Sequence, residues 1–435
     1  MVFAHGVGTR SDLPLPVWLA ALGAGMALTI SFVVLAVLWR GPRLRRNAGT
    51  ALPRALAGGL DATATRILLQ GLTLGAVVGV CLVGFIGPDE LGRNLAPWVF
   101  FVTFWVGLVP ASLLLGPIWR VLNPLRLLHT ALSTVLRIDR ERGVTPLPQE
   151  VGYWPAAASL AIFGWFELVY PSRTEPASVA WFITVYAVVH TGAAVVFGRR
   201  WFTRGDGFEV YSTLLGALSP LGRRTTDRAL VLRNPLHGMQ DVPSGPGLVG
   251  VVVVLIGTTA YDGMSRTSWW QSNVPDSILN ATLGLSCATL LIALVFLIGT
   301  GSLVTPRGAA GQAPRPGDFA HTLVPIAAGY AIAHYFSLLI FDGQLTLILA
   351  SDPFARGDDL LGLAGRTIDY TVISTSTIAS VQITAIVLGH LVAAVAAHDR
   401  AVRLLPPAAA VRTQYPLLVA MVALTMGAVG LVFAG

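Results

Sequence analysis

Four ionisable side chains fall inside the apolar runs of this chain: Glu167, His190, His334 and His390. A group that can carry charge is costly in a bilayer, so each is a functional candidate by default. Imidazole titrates near neutrality and ligates transition metals, and a pair of imidazoles suits haem iron or copper. A His–Glu pair can pass a proton through a low-dielectric region. The competing role is packing, in which a neutral imidazole hydrogen-bonds to a neighbouring helix.

Helical rise of ~1.5 Å per residue gives their depths. His190 and His390 each lie about eight residues, or ~12 Å, above the inner boundary. His334 lies ~22 Å up, with Glu167 at a similar outer level. Two layers are expected: His190 with His390, and His334 with Glu167. For a metal, His334 and His390 are the intramembrane donors. The acidic stretch after the eighth span adds Asp352, Asp358, Asp359 and Asp369, whose oxygens suit a hard cation. A solvated acidic loop is the alternative there, and Asp262 and Asp342, near outer ends, are read as wet. His321 and His334 have a spacing that suits two stacked haems, but His390 and His398 are too close together to match it.

These residues need helices to hold them. The chain is 54% hydrophobic and 12% charged, against roughly 25% charged for a soluble domain. Its long apolar runs do not alternate, which excludes a β-barrel and points to an all-α, polytopic transmembrane bundle. Ten spans are expected: 16–39, 66–86, 96–118, 153–170, 177–198, 247–262, 279–304, 319–341, 374–397 and 415–434. The first is read as a retained helix because the N-terminus lacks a basic region and cleavage site. The whole chain, 1–435, reads as one transmembrane domain.

Orientation follows from arginine, which supplies every basic residue. Five alternate loops hold 23 of the 29 arginines, so these loops face inward and both termini face out. The net charge of +7 is therefore topological, aimed at the lipid bilayer rather than at nucleic acid. Two inner loops carry helical apolar stripes. Residues 119–137 read as an interfacial amphipathic helix, and the loop 199–246 holds a similar stripe at Phe208, Tyr211, Leu214, Leu215 and Leu218. Asn123-Pro124 and Asn234-Pro235 read as helix starts. Residues 342–373 form the outer acidic loop.

Gly75 and Gly79 form a GxxxG, read as a close helix contact. Cys81 and Cys287 fall inside spans and imply no disulfide framework. Walker A, HExxH and complete GxSxG motifs are missing. A weak internal likeness links the fourth and fifth spans (GWFELVY, HTGAAVVFGRR) to the eighth and ninth (HYFSLLIF, HLVAAVAAHDR) and would make a parallel repeat.

The stretches HGVGTRSDLPLPVWL, GDGFEVYSTLLGALSPLGR, TLVPIAAGYAIAHYFSLLIFDGQ and GHLVAAVAAHDRA resemble a family of polytopic membrane proteins of actinobacteria, often labelled fenitrothion hydrolase-like. The resemblance spans nearly the full length. It implies a bacterial plasma-membrane protein and, by the label, hydrolysis of an organophosphate ester. It carries no catalytic motif to specific residues here.

The residues alone favour a permease for a small solute or ion, linked to protons or a metal through Glu167, His190, His334 and His390. The second expectation is a membrane-embedded metal-dependent hydrolase, with water activated against a phosphotriester. The third is a haem-binding or scaffolding subunit. A homo-oligomer is compatible with each.

Overall fold

The computed structural model describes residues 16–303, 314–363 and 365–433. Apolar composition dictates the main elements, because a segment in lipid must satisfy its backbone hydrogen bonds internally. Among the described residues, nine helices are long and apolar enough to cross a membrane. They are α1 (Val17–Leu38), α2 (Thr63–Ile86), α3 (Leu95–Leu115), α6 (Pro176–Phe197), α8 (Leu248–Ser265), α9 (Ile278–Gly301), α10 (Val324–Ser351, entered through a 3-10 turn at Pro316–Leu323), α11 (Thr375–Leu404) and α12 (Tyr415–Phe433). The fourth expected span forms α5 (Trp154–Leu168), only 15 residues long. That is ~22 Å, short of a ~30 Å hydrocarbon core. The expected positions of residues 1–15 and of the last two residues lie outside the described set.

Large apolar side chains such as Leu68, Leu72, Leu290, Leu294 and Ile298 are exposed on the bundle's outer surface, as befits a lipid-facing wall. Close packing is set by small residues instead. A Cβ on Gly329 of α10 would stand 2.4 Å from the Ala385 carbonyl oxygen, and one on Gly389 of α11 would stand 2.6 Å from that of Pro325. These two antiparallel helices make the largest interface in the bundle. Gly75 and Gly79, expected to seat a neighbour, have nothing within 4 Å. That GxxxG makes no helix contact.

Two further helices occupy the arginine-rich side. The Asn123 side chain accepts from the Leu125 N–H and Pro124 occupies the first turn, starting α4 (Pro124–Leu136). The expected helix over 119–137 is thus broken at Asn123, with a short turn Ile118–Leu122 before it. Its polarity is reversed from the expectation. Arg126, His129 and Leu125 are buried while Leu132, Val135 and Leu136 are exposed, so the charged group points into the protein and the far end of the apolar stripe outward. The second stripe forms α7 (Gly207–Gly216), capped by Asp206. It does not lie at an interface: Asp206, Phe208, Glu209, Tyr211, Ser212 and Leu215 are all buried. It is inserted into the bundle because every face finds a partner there. The fold is not purely helical. Strands β1 (Thr50–Ala51), β2 (Leu221–Arg223) and β3 (Leu230–Leu232) pair antiparallel in the order β1-β3-β2, tying the first arginine-rich loop to the third.

Candidate functional site

His334 finds its partner on α8. Its Nε2 lies 2.6 Å from Oδ2 of Asp262, and the two side chains are 7% and 6% exposed. The imidazole N–H donates to the carboxylate. Asp262 also accepts from Arg266 one turn on, at 2.7 Å and 2.9 Å from Nη2 and 3.1 Å from Nε. One carboxylate thus bridges an imidazole and a guanidinium. Tyr330 stacks on the His334 ring from the preceding turn, and Tyr335 meets it edge-on. Helix α10 therefore presents a Tyr-His-Tyr face to α8.

Glu167, at the end of α5, interacts electrostatically with Asp262, Arg266 and Arg173. Its charge is also felt at Tyr335 and Tyr211. Glu167 and His334 make no direct hydrogen bond among the described residues; each interacts with Asp262. Asp262 itself was misjudged by sequence: it is not a wet outer-end residue but the hub of this cluster. Asp342 is likewise buried. Helix α10 runs on to Ser351, so the acidic outer loop begins ten residues later than the expected position 342.

Below this cluster, α7 carries the polar groups toward the arginine-rich face. Tyr211 stacks on Trp105, which sits in a π-helical stretch of α3 (Val99–Val106). Such wide turns are often found at functional sites. Two residues before Tyr211, Glu209 makes two hydrogen bonds with Arg126, at 2.7 Å and 2.5 Å. Asn123 donates to Asp206 at 2.8 Å and to Glu209 at 3.2 Å. Tyr186 of α6 donates to Asp206 at 2.7 Å. Burial, reinforced by the Glu209 carboxylate, pushes the Asp206 carboxyl up to about 6.

His190 belongs to this inner network. Trp201 Nε1 donates to its Nδ1 at 3.1 Å, and its Nε2 lies 3.4 Å from Ser159 Oγ. An Nδ1 that accepts fixes the neutral tautomer with the proton on Nε2. Tyr186 stacks on the ring, with centroids 4.1 Å apart. Two polar groups therefore stand in the bundle: Asp262, His334 and Arg266 in one, and Asp206, Glu209, Arg126, Asn123, Tyr186 and Ser159 with His190 in the other.

His390 stands apart from both groups. Its Nδ1 is 2.8 Å from the Ile386 carbonyl oxygen one turn back, and its Nε2 is buried without a partner among the described residues. The Gly329–Gly389 contact fixes the register of α10 against α11. It sets His334 roughly six residues, or ~9 Å, from the level of His390 along the axis. His190 is held by Trp201 and Ser159 instead, so the expected His190–His390 layer yields no hydrogen bond.

Among the described residues no three His, Cys, Asp or Glu side chains converge as metal donors would. The outer carboxylates serve the loop. Asp352 accepts from the backbone of Arg356 and Gly357, and Asp359 accepts from Ser351. Between α2, α3 and α6 lies a cavity of about 290 Å³, walled by Val80, Phe100, Phe104, Trp119, Phe182 and Phe208, with Tyr186 at its edge.

Sequence reasoning found Glu167, His190 and His334 because charge inside an apolar run stands out. It passed over Asp262, Asp206, Glu209 and Arg126, which lie at run ends or in a loop. Comparison with protein-family models, with curated proteins and with solved structures finds no significant match. The fold itself defines the class: a multi-pass helical membrane protein.

Proposed function

We propose that this protein is a ten-pass permease of the bacterial plasma membrane. Both termini lie outside, and α5 is its tenth, abbreviated pass. It moves a small solute or ion coupled to protons. The observation that carries this reading is the buried 2.6 Å contact between His334 and Asp262, with Glu167 alongside. An imidazole bound to a carboxylate that is also held by Arg266 can take up or release a proton without leaving a bare charge in the interior. The Tyr186 hydroxyl, bound to Asp206, supplies a further group that can pass a proton in the second polar network.

Proteoliposomes test it. Wild type is expected to give pH-gradient-driven solute flux, with the current on a solid-supported membrane depending on the gradient. His334→Ala and Asp262→Asn should each abolish that current while the purified protein keeps its helical spectrum. Unchanged coupled flux in both variants would sink the proposal.

The second reading is the membrane-embedded hydrolase of lipophilic phosphotriesters. One observation favours it: the aromatic cavity beside Tyr186 suits an apolar aryl ester reached from the bilayer. Phosphotriester cleavage by detergent-purified protein, lost on widening that cavity with Phe104→Ala, would put this reading ahead.

A further inference from the structure

At the arginine-rich end of the bundle, far from the Asp262–His334 pair, four chain segments close around a small cleft. Arg46 comes from the loop after α1, and Gln240 and Ser244 from the loop before α8. Asp318 and His321 come from the turn before α10, and Arg400 from the end of α11. The cleft has about 20 Å³ of space at its centre, enough for one water-sized group.

Two buried side chains that line it lack a partner among the described residues: the Gln240 amide as a donor, and the His321 imidazole, whose other nitrogen meets the Asp318 backbone, as an acceptor. His321 is 7% exposed and Gln240 3% exposed, yet the Nε2 atoms of both are buried with no partner among the described residues. Leaving such groups unpaired is costly, and that cost signals an absent partner. Arg46 uses only its Nε, bound to the Gln240 carbonyl at 2.9 Å. Its two terminal nitrogens make no hydrogen bond among the described residues. Arg400 binds the Asp318 carbonyl at 3.1 Å and the Asp318 carboxylate at 3.4 Å. That carboxylate also accepts from the Arg315 N–H at 2.8 Å. It offsets one guanidinium and leaves the cleft net positive. Ser244 adds an exposed hydroxyl at the rim.

A cation is disfavoured here, and a neutral ligand would not use two guanidinium groups. We infer that this cleft binds a phosphate group, with one phosphoryl oxygen accepting from the Gln240 amide while Arg46 and Arg400 grip the others from the rim. Guanidinium forks suit that geometry, and an unpartnered basic pocket between helix ends is a recognised way to hold a lipid headgroup. The source is either an anionic phospholipid or free phosphate, since the chemistry is the same.

The full chain in phosphatidylcholine nanodiscs separates these cases. Phosphatidylglycerol retention is read by native mass spectrometry, and inorganic phosphate binding by titration calorimetry. Retention or binding should fall at least tenfold in Arg46→Gln/Arg400→Gln. It should stay at the wild-type level in Arg200→Gln, which removes an exposed inner arginine elsewhere. Lipid retention that excess inorganic phosphate does not displace identifies a headgroup site, and displacement identifies free phosphate. Ser244→Glu, at an exposed position, should weaken binding without disturbing the core, and it stands in if the double variant misfolds. The inference is overturned if wild type binds neither probe. It is also overturned if chloride at equal ionic strength competes as well as phosphate, or if Arg200→Gln and the cleft variants behave alike.

Discussion

Asp262 Oδ2 and His334 Nε2 meet at 2.6 Å across 72 positions of sequence, joining α8 to α10. Both side chains are largely buried, and the carboxylate joins the imidazole to Arg266. Removing one partner of a buried pair leaves the other uncompensated, at a cost of about 3–5 kcal/mol. Asp262→Asn and His334→Ala should each lower thermal stability in detergent. The double variant should lose less than the sum of the two. Additive losses in a double-mutant cycle would show that the contact contributes nothing of its own.

Arg126 and Glu209 make the analogous pair in the inner network, with side chains 7% and 0% exposed. Glu209→Ala would strand a guanidinium inside the bundle, and a loss of about 3–5 kcal/mol is expected. Arg126→Met with Glu209→Met replaces both charges by apolar groups and should recover most of it. A double variant as unstable as Glu209→Ala would contradict this. It would mean that Asn123 and Asp206, not charge balance, set the requirement.

The two pairs show what sequence could and could not disclose. His334 was legible because an imidazole amid GYAIAHYFSLL breaks an apolar run. Asp262 was not, because it sits four residues from the helix end at Arg266, where a solvated carboxylate is the ordinary case. Only the packing of α8 on α10 reveals its partner. The stripe on α7 was legible as a helix, and the Asp206 cap followed the usual rule. Its insertion was not legible, because nothing local distinguishes a helix lying on a membrane from one surrounded by α3, α5 and α10. The ten apolar segments were read directly from composition. The length of α10 was not, because Asp342 was taken as a boundary although apolar residues resume at Leu345.

Gly329 and the Gly75/Gly79 pair give a contrast within one protein. Gly329→Ala would drive a methyl group into the Ala385 carbonyl, which belongs to rigid helix backbone. The helices must separate, and overpacking of this kind costs about 1–3 kcal/mol. Gly75→Ala and Gly79→Ala meet nothing within 4 Å, and a helix gains from Ala over Gly. Melting in detergent should drop for the first variant and stay level or rise for the other two. A drop at Gly75 or Gly79 would point to a second copy of the chain on that face.

Asp206 makes stability depend on pH with a definite sign. Its carboxyl titrates near 6 in the folded protein because burial and Glu209 disfavour its charge, while the unfolded chain titrates it near 4. Between these values the folded state holds the extra proton. Stability therefore falls as pH rises through that window, and no more is lost above it. The difference corresponds to at most about 3 kcal/mol. Asp206→Asn keeps an oxygen for the Phe208 and Glu209 N–H groups and for Tyr186, loses the acceptor for Asn123, and removes the titration. Its stability should be flatter than that of wild type between pH 4 and 6, at a level lowered by the lost Asn123 bond. Parallel pH profiles for the two proteins would assign the wild-type slope to another carboxylate. A steeper fall in the variant would mean that the ionised form is the one the network was built to hold.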